Sequence, residues 1–344
     1  MNTSSRLSAI AAASLLSLMG TAAQAQSSVT LYGAIGIDVL SASNVYNGST
    51  THSVVKIEDN AIVNSRIGVK GSEDLGGGLK AIFDLESSIA PDTGAARAQF
   101  WNRGAYVGLA GDFGSIKLGH QWNVADDYMG NYFVFGYYSP FLMSGFGALS
   151  DYYDNAIKYN SPNIGGFEGG LYYSAGENAS RKSAGQKVQG AAVYGVGGFS
   201  IGLSAFSEKN PGLPAAGNKM YAGGVSYDFG VLKARLGLAT ADVEYATPFK
   251  ANLIDVGVDV PFTAAFSSSL DYVQKDVKDS PDDTEFVRAR LSYALSKRTS
   301  LNANLIYLKN SGAANFAFVS DQAGFAGQAG QSQTIVTAGI THSF

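Results

Sequence analysis

The chain has 344 residues, among them 42 glycines, 19 tyrosines and 19 phenylalanines, with no cysteine and only 15% charged side chains. A net charge of −4 argues against a nucleic-acid-binding surface. A mean hydropathy of +0.03 is too polar for a bundle of transmembrane helices but fits strands that alternate apolar and polar faces.

In chain order, the first element is an export signal. Arg6 supplies the basic start, Leu7 to Met19 a short apolar stretch, and Ala23-Gln24-Ala25 a small-x-small cleavage pattern. Residues 1–25 are therefore expected to be removed, leaving a mature chain from Gln26. That chain has 23 basic and 28 acidic side chains, a net charge of −5. No later segment is apolar for the ~18 residues that a spanning helix needs. An exported chain without disulfides that enters a bilayer must do so as a closed set of strands.

From residue 26 the dominant pattern has period two. Leu232, Ala234, Leu236 and Leu238 alternate with Lys233, Arg235 and Gly237; Val287, Ala289, Leu291 and Tyr293 alternate with Arg288, Arg290 and Ser292; Leu301, Ala303, Leu305 and Tyr307 alternate with Asn302 and Asn304. One apolar and one wetted face per strand is the signature of a half-buried sheet. The pattern predicts sixteen strands, near 28–40, 53–71, 78–88, 100–109, 113–121, 154–161, 167–176, 186–195, 199–208, 219–228, 231–242, 250–260, 264–275, 284–294, 300–309 and 333–344. The gaps alternate long (41–52, 89–99, 122–153, 310–332) and short (72–77, 110–112). Loops segregated in this way suit an up-and-down barrel, and an even count puts both ends of the barrel on the short-turn side. Leu75-Gly76-Gly77-Gly78 offers the backbone freedom for one tight turn. Tyr227, Phe229, Phe262, Tyr293 and Tyr307 fall near strand ends, where an interfacial girdle would sit.

Several stretches resemble the Gram-negative general porins, especially those of β-proteobacteria. They are Ser28-Val29-Thr30-Leu31-Tyr32-Gly33, SRIGVKGSEDLGGGLKAIFDLE (Ser65 to Glu86), NRGAYVGLAGDFGSIKLG (Asn102 to Gly119), NAIKYNSPNIGGFEGGLYY (Asn155 to Tyr173), YALSKRTSLNA (Tyr293 to Ala303) and the closing GITHSF. The resemblance implies an all-β fold, a 16-stranded antiparallel transmembrane barrel that assembles as a homotrimer in the outer membrane. It also implies contact with outer-membrane lipid and lipopolysaccharide, and a terminal Phe344 read by the barrel assembly machinery. The function implied is a water-filled channel for small polar solutes and ions.

The resemblance further implies that the segment 122–153 folds into the barrel and narrows it. This segment holds eleven aromatic residues, and with Asp154 it holds four acids and no Lys or Arg. Asp126 and Asp127 are the acidic candidates facing the channel, and family correspondence points to Arg66 and Arg103 on the opposing wall. Lys158, Arg235, Arg288 and Arg290 share the inward parity, and His120 is a further lumen candidate. Three departures thin the usual basic wall: Ala34 and His120 stand where relatives carry a basic residue, and Asp154 stands where arginine is frequent. Weak or cationic selectivity is thus open beside anion preference. The aromatic loop also leaves open a channel tuned to aromatic or sugar-like solutes, and a structural or adhesin barrel is a further alternative.

Catalysis is not expected. The three histidines, His52, His120 and His342, lack metal-ligand spacing, and no serine nucleophile motif accompanies them. Neither a cofactor nor a metal is expected.

Overall fold

The computed structural model describes residues 27–60, 63–95, 99–134, 152–179, 183–210, 212, 217–244, 248–317 and 327–344. The expected signal segment and its cleavage site lie outside the described residues.

Seventeen strand segments form one sheet: β1 (Ser28–Tyr46), β2 (Thr51–Asp59), β3 (Arg66–Gly76), β4 (Leu79–Ser88), β5 (Gly104–Gly111), β6 (Gly114–Trp122), β7 (Tyr152–Asn160), β8 (Phe167–Ser174), β9 (Lys187–Val196), β10 (Phe199–Lys209), β11 (Gly217–Asp228), β12 (Lys233–Val243), β13 (Phe249–Pro261), β14 (Phe266–Val277), β15 (Thr284–Ala294), β16 (Thr299–Asn310) and β17 (Ser332–Ser343). Each pairs antiparallel with its neighbour, and β1 pairs with β17 from Ala34↔Ser343 to Ala42↔Ile335. That pairing joins the first stave to the last and closes the barrel. Backbone bonds Phe344 N–H to Gly33 O (3.1 Å) and Gly33 N–H to Phe344 O (3.2 Å) finish the seam.

Segments β2 and β3 are two halves of one barrel strand, since both pair with β1, so the barrel has sixteen staves. The expected continuous strand 53–71 is broken after Asp59. There the Ser65 hydroxyl takes over the ladder bonds of Gly36, accepting from its N–H (2.9 Å) and donating to its C=O (3.1 Å). Asp59 Oδ1 accepts from Asn60 N–H (3.0 Å) and Ser65 N–H (3.2 Å), so side chains hold the detour in place of sheet pairing.

Two expected gaps shrink. β1 runs to Tyr46, and the first loop is 47–50 rather than 41–52. A register slip between Ala42 and Val45, with Asn44 at φ 52°, breaks the alternation there and disguised strand as loop. The turn after β3 is Gly77-Gly78 alone, with Gly76, Gly77 and Gly78 all at positive φ. Connections 244–248 and 278–283 are also about as short as the turns at the opposite end, so loop segregation is weaker than expected.

The barrel is greasy outside and polar inside. Outward side chains such as Leu171, Leu203, Leu238, Val287 and Leu305 are exposed, as a bilayer-facing belt requires. Tyr227, Phe229, Phe262 and Tyr293 are exposed towards the short-turn end, with Phe344 beside them, and Tyr307 towards the other. Among the described residues no helix is long and apolar enough to cross a membrane.

Candidate functional site

The chain turns inward after β6. Asn123 caps a short helix α1 (Val124–Tyr128), its Oδ1 accepting from Asp126 N–H at 3.0 Å. The first amides of α1, Val124 and Ala125, donate to Gln189 Oε1 of β9 (2.7 and 3.1 Å). Gln189 thus supplies the acceptor that a helix start lacks and ties it to the barrel wall at β9. Tyr128 donates to Gly169 O of β8 (2.9 Å).

Residues 132–134 then lie across an in-register row of inward positions, Gly202, Gly224, Gly237 and Asp255, on β10 to β13. The ring of Tyr132 fills the space over Gly202 and Gly224, and that of Phe133 the space over Gly237; a Cβ at any of the three would overlap a ring. Tyr132 OH meets Ser200 Oγ at 2.6 Å, and Val134 N–H donates to Asp255 Oδ2 at 2.6 Å. This glycine trough is the seat of the described part of the segment 122–153; residues 135–151 lie outside the described residues.

Of the described aromatics of this segment, Tyr128, Tyr132, Phe133 and Tyr153 are buried, whereas Trp122 and Tyr152 are partly exposed. Tyr132 and Phe133 are 0% and 2% exposed. They are therefore closed to stacking by an aromatic or sugar-like solute.

Asp126 and Asp127 sit in the first turn of α1. Asp126 accepts from Asn123 Nδ2 (2.7 Å). Asp127 pairs with Lys158 Nζ at 2.8 Å and accepts from Asn160 Nδ2 at 2.9 Å. Arg66 and Arg103 come together on Glu86 of β4, at 3.3 and 2.6 Å. The single Tyr32 hydroxyl proton is shared between Asp84 (2.8 Å) and Glu86 (3.0 Å), so Glu86 gathers two arginines and a phenol. The Arg103 guanidinium also lies over the rings of Trp122 and Tyr152, at 5.4 and 5.6 Å.

On the opposite wall Arg235 and Arg288 converge on Asp271. Arg288 reaches it through Nε (2.9 Å) and Nη2 (2.7 Å), and Arg235 through Nη2, with Arg235 Nη1 also 2.5 Å from Asp259. Both arginines are buried, so inward parity did not make them open lumen charges. Gly257, between Arg235 and Asp271 in the register, leaves the room that the Arg235 guanidinium occupies. His120 is likewise engaged: Nδ1 is 2.7 Å from Asp154 and Nε2 2.9 Å from Asn102 O, with the ring stacked on Tyr152. It clamps the stalks of the long segment rather than standing as an open charge. Arg290 lies one alternation below Arg288 and has no carboxylate within 4 Å among the described residues.

Sequence reasoning missed Glu86 and Asp84. A signal existed, since Asp84 and Glu86 stand at i and i+2 on one face of β4. The glycine seat carried no signal, because an inward glycine reads the same whether it faces water or a ring.

The sequence model of the Gram-negative porin matches residues 9–313. The chain belongs to the Gram-negative porin family. It is 32% identical to outer membrane porin protein 32 of Delftia acidovorans, over 94% of this chain and 96% of that one. It is 30% identical to an outer membrane porin of Bordetella pertussis, over 97% and 98% of the two chains. The solved anion-selective porin from Comamonas acidovorans superposes with a TM-score of 0.81 at 30% identity, covering 93% of this chain and all of that one. This porin is thus an outer-membrane β-barrel of sixteen strands, and its fold and family are those of channels.

Proposed function

We propose that this porin passes small hydrophilic solutes and ions by passive diffusion, with a preference for anions. In this reading the segment 122–153, carrying Asp126 and Asp127, narrows the pore against a wall bearing Arg66 and Arg103. The observation that carries the reading is the charged, polar inner face beside the seated loop, in a barrel whose outer face is apolar. The anion preference is drawn from the similar anion-selective structure and from the basic side chains on the inner wall next to the loop. A rim of opposed charges in a narrow, low-dielectric passage orders water and dipolar solutes. The test is swelling of liposomes that contain the purified, heat-modifiable protein, in isotonic sugars of increasing size. Swelling that falls with solute size supports the channel, and no swelling in any sugar refutes it.

Export by removal of residues 1–25, assembly as a homotrimer, contact with lipopolysaccharide and recognition of Phe344 by the assembly machinery belong to the same proposal. A large species in unboiled gels that collapses on heating supports the trimer; a monomer by light scattering removes it.

A further inference from the structure

The outer face of the barrel carries a groove that crosses β8 to β12. Its floor is Gly190, Ala205 and Gly223, where the outward side chains shrink, and its ridges are Leu171, Leu203 and Leu238. All three leucines are exposed. Leu171 and Leu203 border the two glycines closely: a Cβ at Gly190 or Gly223 would stand 3.4 or 3.0 Å from their Cδ2 atoms. The groove is apolar, narrow and open along its length, which is the shape of a hydrocarbon chain.

A row of lysines lies just above it, at the long-loop end. Lys219, Asp242 and Lys250 are neighbours in the register of β11, β12 and β13. Lys278, whose N–H donates to Lys250 O at 2.8 Å, continues the row past the end of β14. Lys219 shares the outward parity of Tyr221, Lys250 that of Val256 and Lys278 that of Tyr272, and all three lysines are exposed. Neighbouring staves stand about 4.8 Å apart, so the row spans about 14 Å. Tyr221, Thr240 and Asn252 form the next register row, between the lysines and the groove. The carboxylates nearby are Asp242, which pairs with Lys250 at 2.8 Å, Glu244, which accepts from Gly217 N–H at 2.7 Å, and Asp276 opposite Asn252. The row itself thus holds three ammoniums and one carboxylate.

We propose that the row and the groove together form a docking site for lipopolysaccharide. The phosphates of its lipid A headgroup sit on Lys219, Lys250 and Lys278, and an acyl chain lies over Gly190, Ala205 and Gly223. The assignment rests on the contact with lipopolysaccharide in the proposed function and gives that contact a place on the barrel. In an outer-membrane barrel the long-loop end faces outward, so the row stands at the headgroup level of the outer leaflet. Ammonium-to-phosphate bonds are charge-assisted and stronger than neutral ones. A phospholipid brings one phosphate to a row of this length, whereas lipid A carries two on a stiff disaccharide. Tyr221 sits where the polar and apolar parts meet, as an interfacial aromatic does. The groove alone would take any hydrocarbon, and the lysines alone any anion; adjoining on the same staves, they select a molecule with both parts.

The experiment is native mass spectrometry of the full-length protein, folded and freed of lipid in detergent, titrated with bisphosphorylated lipid A or with phosphatidylglycerol. The variants are the triple replacement Lys219→Gln, Lys250→Gln and Lys278→Gln, the groove-filling Ala205→Phe, and Lys309→Gln. Lys309 is an exposed lysine of the same rim on β16, away from the groove and 3.8 Å from Glu285, and serves as the comparator. All of these side chains lie outside the lumen, so heat-modifiable migration and conductance stay as in wild type and report that the barrel has folded. Wild type binds its first lipid A more tightly than phosphatidylglycerol. The triple variant and Ala205→Phe each weaken that first binding by about tenfold, and Lys309→Gln leaves it unchanged. Wild-type affinity in the triple variant or in Ala205→Phe overturns the site, as does an equal loss in Lys309→Gln. Phosphatidylglycerol bound as tightly as lipid A overturns the choice of lipopolysaccharide. A wild type that binds no lipid A removes the lipopolysaccharide contact itself, and the site with it, while the channel reading stands on its own conductance.

Discussion

Asp127 and Lys158 meet at 2.8 Å, and this contact joins the first turn of the inserted helix to the barrel wall. The Lys158 side chain is 4% exposed and also donates to Trp122 O at 3.0 Å, so two of its three N–H groups are engaged. Replacing Lys158 with Met leaves Asp127 with Asn160 as its remaining hydrogen-bond donor among the described residues and is expected to cost about 1–3 kcal/mol locally. The barrel ladder is untouched, so heat-modifiable migration should persist. Open-channel current noise should rise as α1 loosens.

The glycine trough makes a sharper prediction. Gly224→Val places a branched side chain where Tyr132 sits, while leaving every ladder bond of β11 available. The ring must leave its seat, which breaks the Tyr132–Ser200 contact and strains the Val134–Asp255 bond. A folded barrel with an altered single-channel conductance is expected. Conductance and noise identical to wild type would show that the seat does not position the segment.

Glu86 is the charge that restrains two arginines. Glu86→Gln removes the carboxylate that Arg66 and Arg103 share, so the pore gains one net positive charge. At ~0.1 M salt, where charges act over about 10 Å, the reversal potential should move towards anions. A shift towards cations would place Glu86 outside the conducting path.

The loops at the long end have an acid-sensitive link. Asp282 Oδ1 accepts from the Ala313 amide at 2.6 Å, and Ser280 lies in the same turn, so these bonds hold the Asp282 carboxyl below its ordinary value. A depressed carboxyl stabilises the folded form above the usual value of about 3.9 and loses that effect as pH falls through its own lower value. The link between 278–283 and 311–317 should therefore be constant from neutral pH down to about 4 and weaken below it. Protection of the Ala313 amide from hydrogen exchange is the measure, and Asp282→Ala should abolish the pH dependence.

Much of the barrel was legible because an antiparallel strand writes its two faces in alternate residues. β12, β15 and β16 were readable in that way to within one or two residues. Legibility failed where side chains replaced backbone pairing, as at Ser65 and Gly36, and where a bulge reset the parity at Asn44. Among the candidate site residues, parity placed Arg235 and Arg288 inward, yet could not reveal that Asp271 had claimed both. Parity names a face, whereas availability depends on which carboxylates the neighbouring staves bring to the same height.

Single-channel recording of the purified, folded protein in a planar bilayer tests the central claim most directly. A lumen lined by water and charge should give discrete, long-lived openings. Their current should vary nearly linearly with voltage and scale with bulk salt conductivity. A preparation that retains heat-modifiable barrel migration yet inserts without any conducting step would contradict the account.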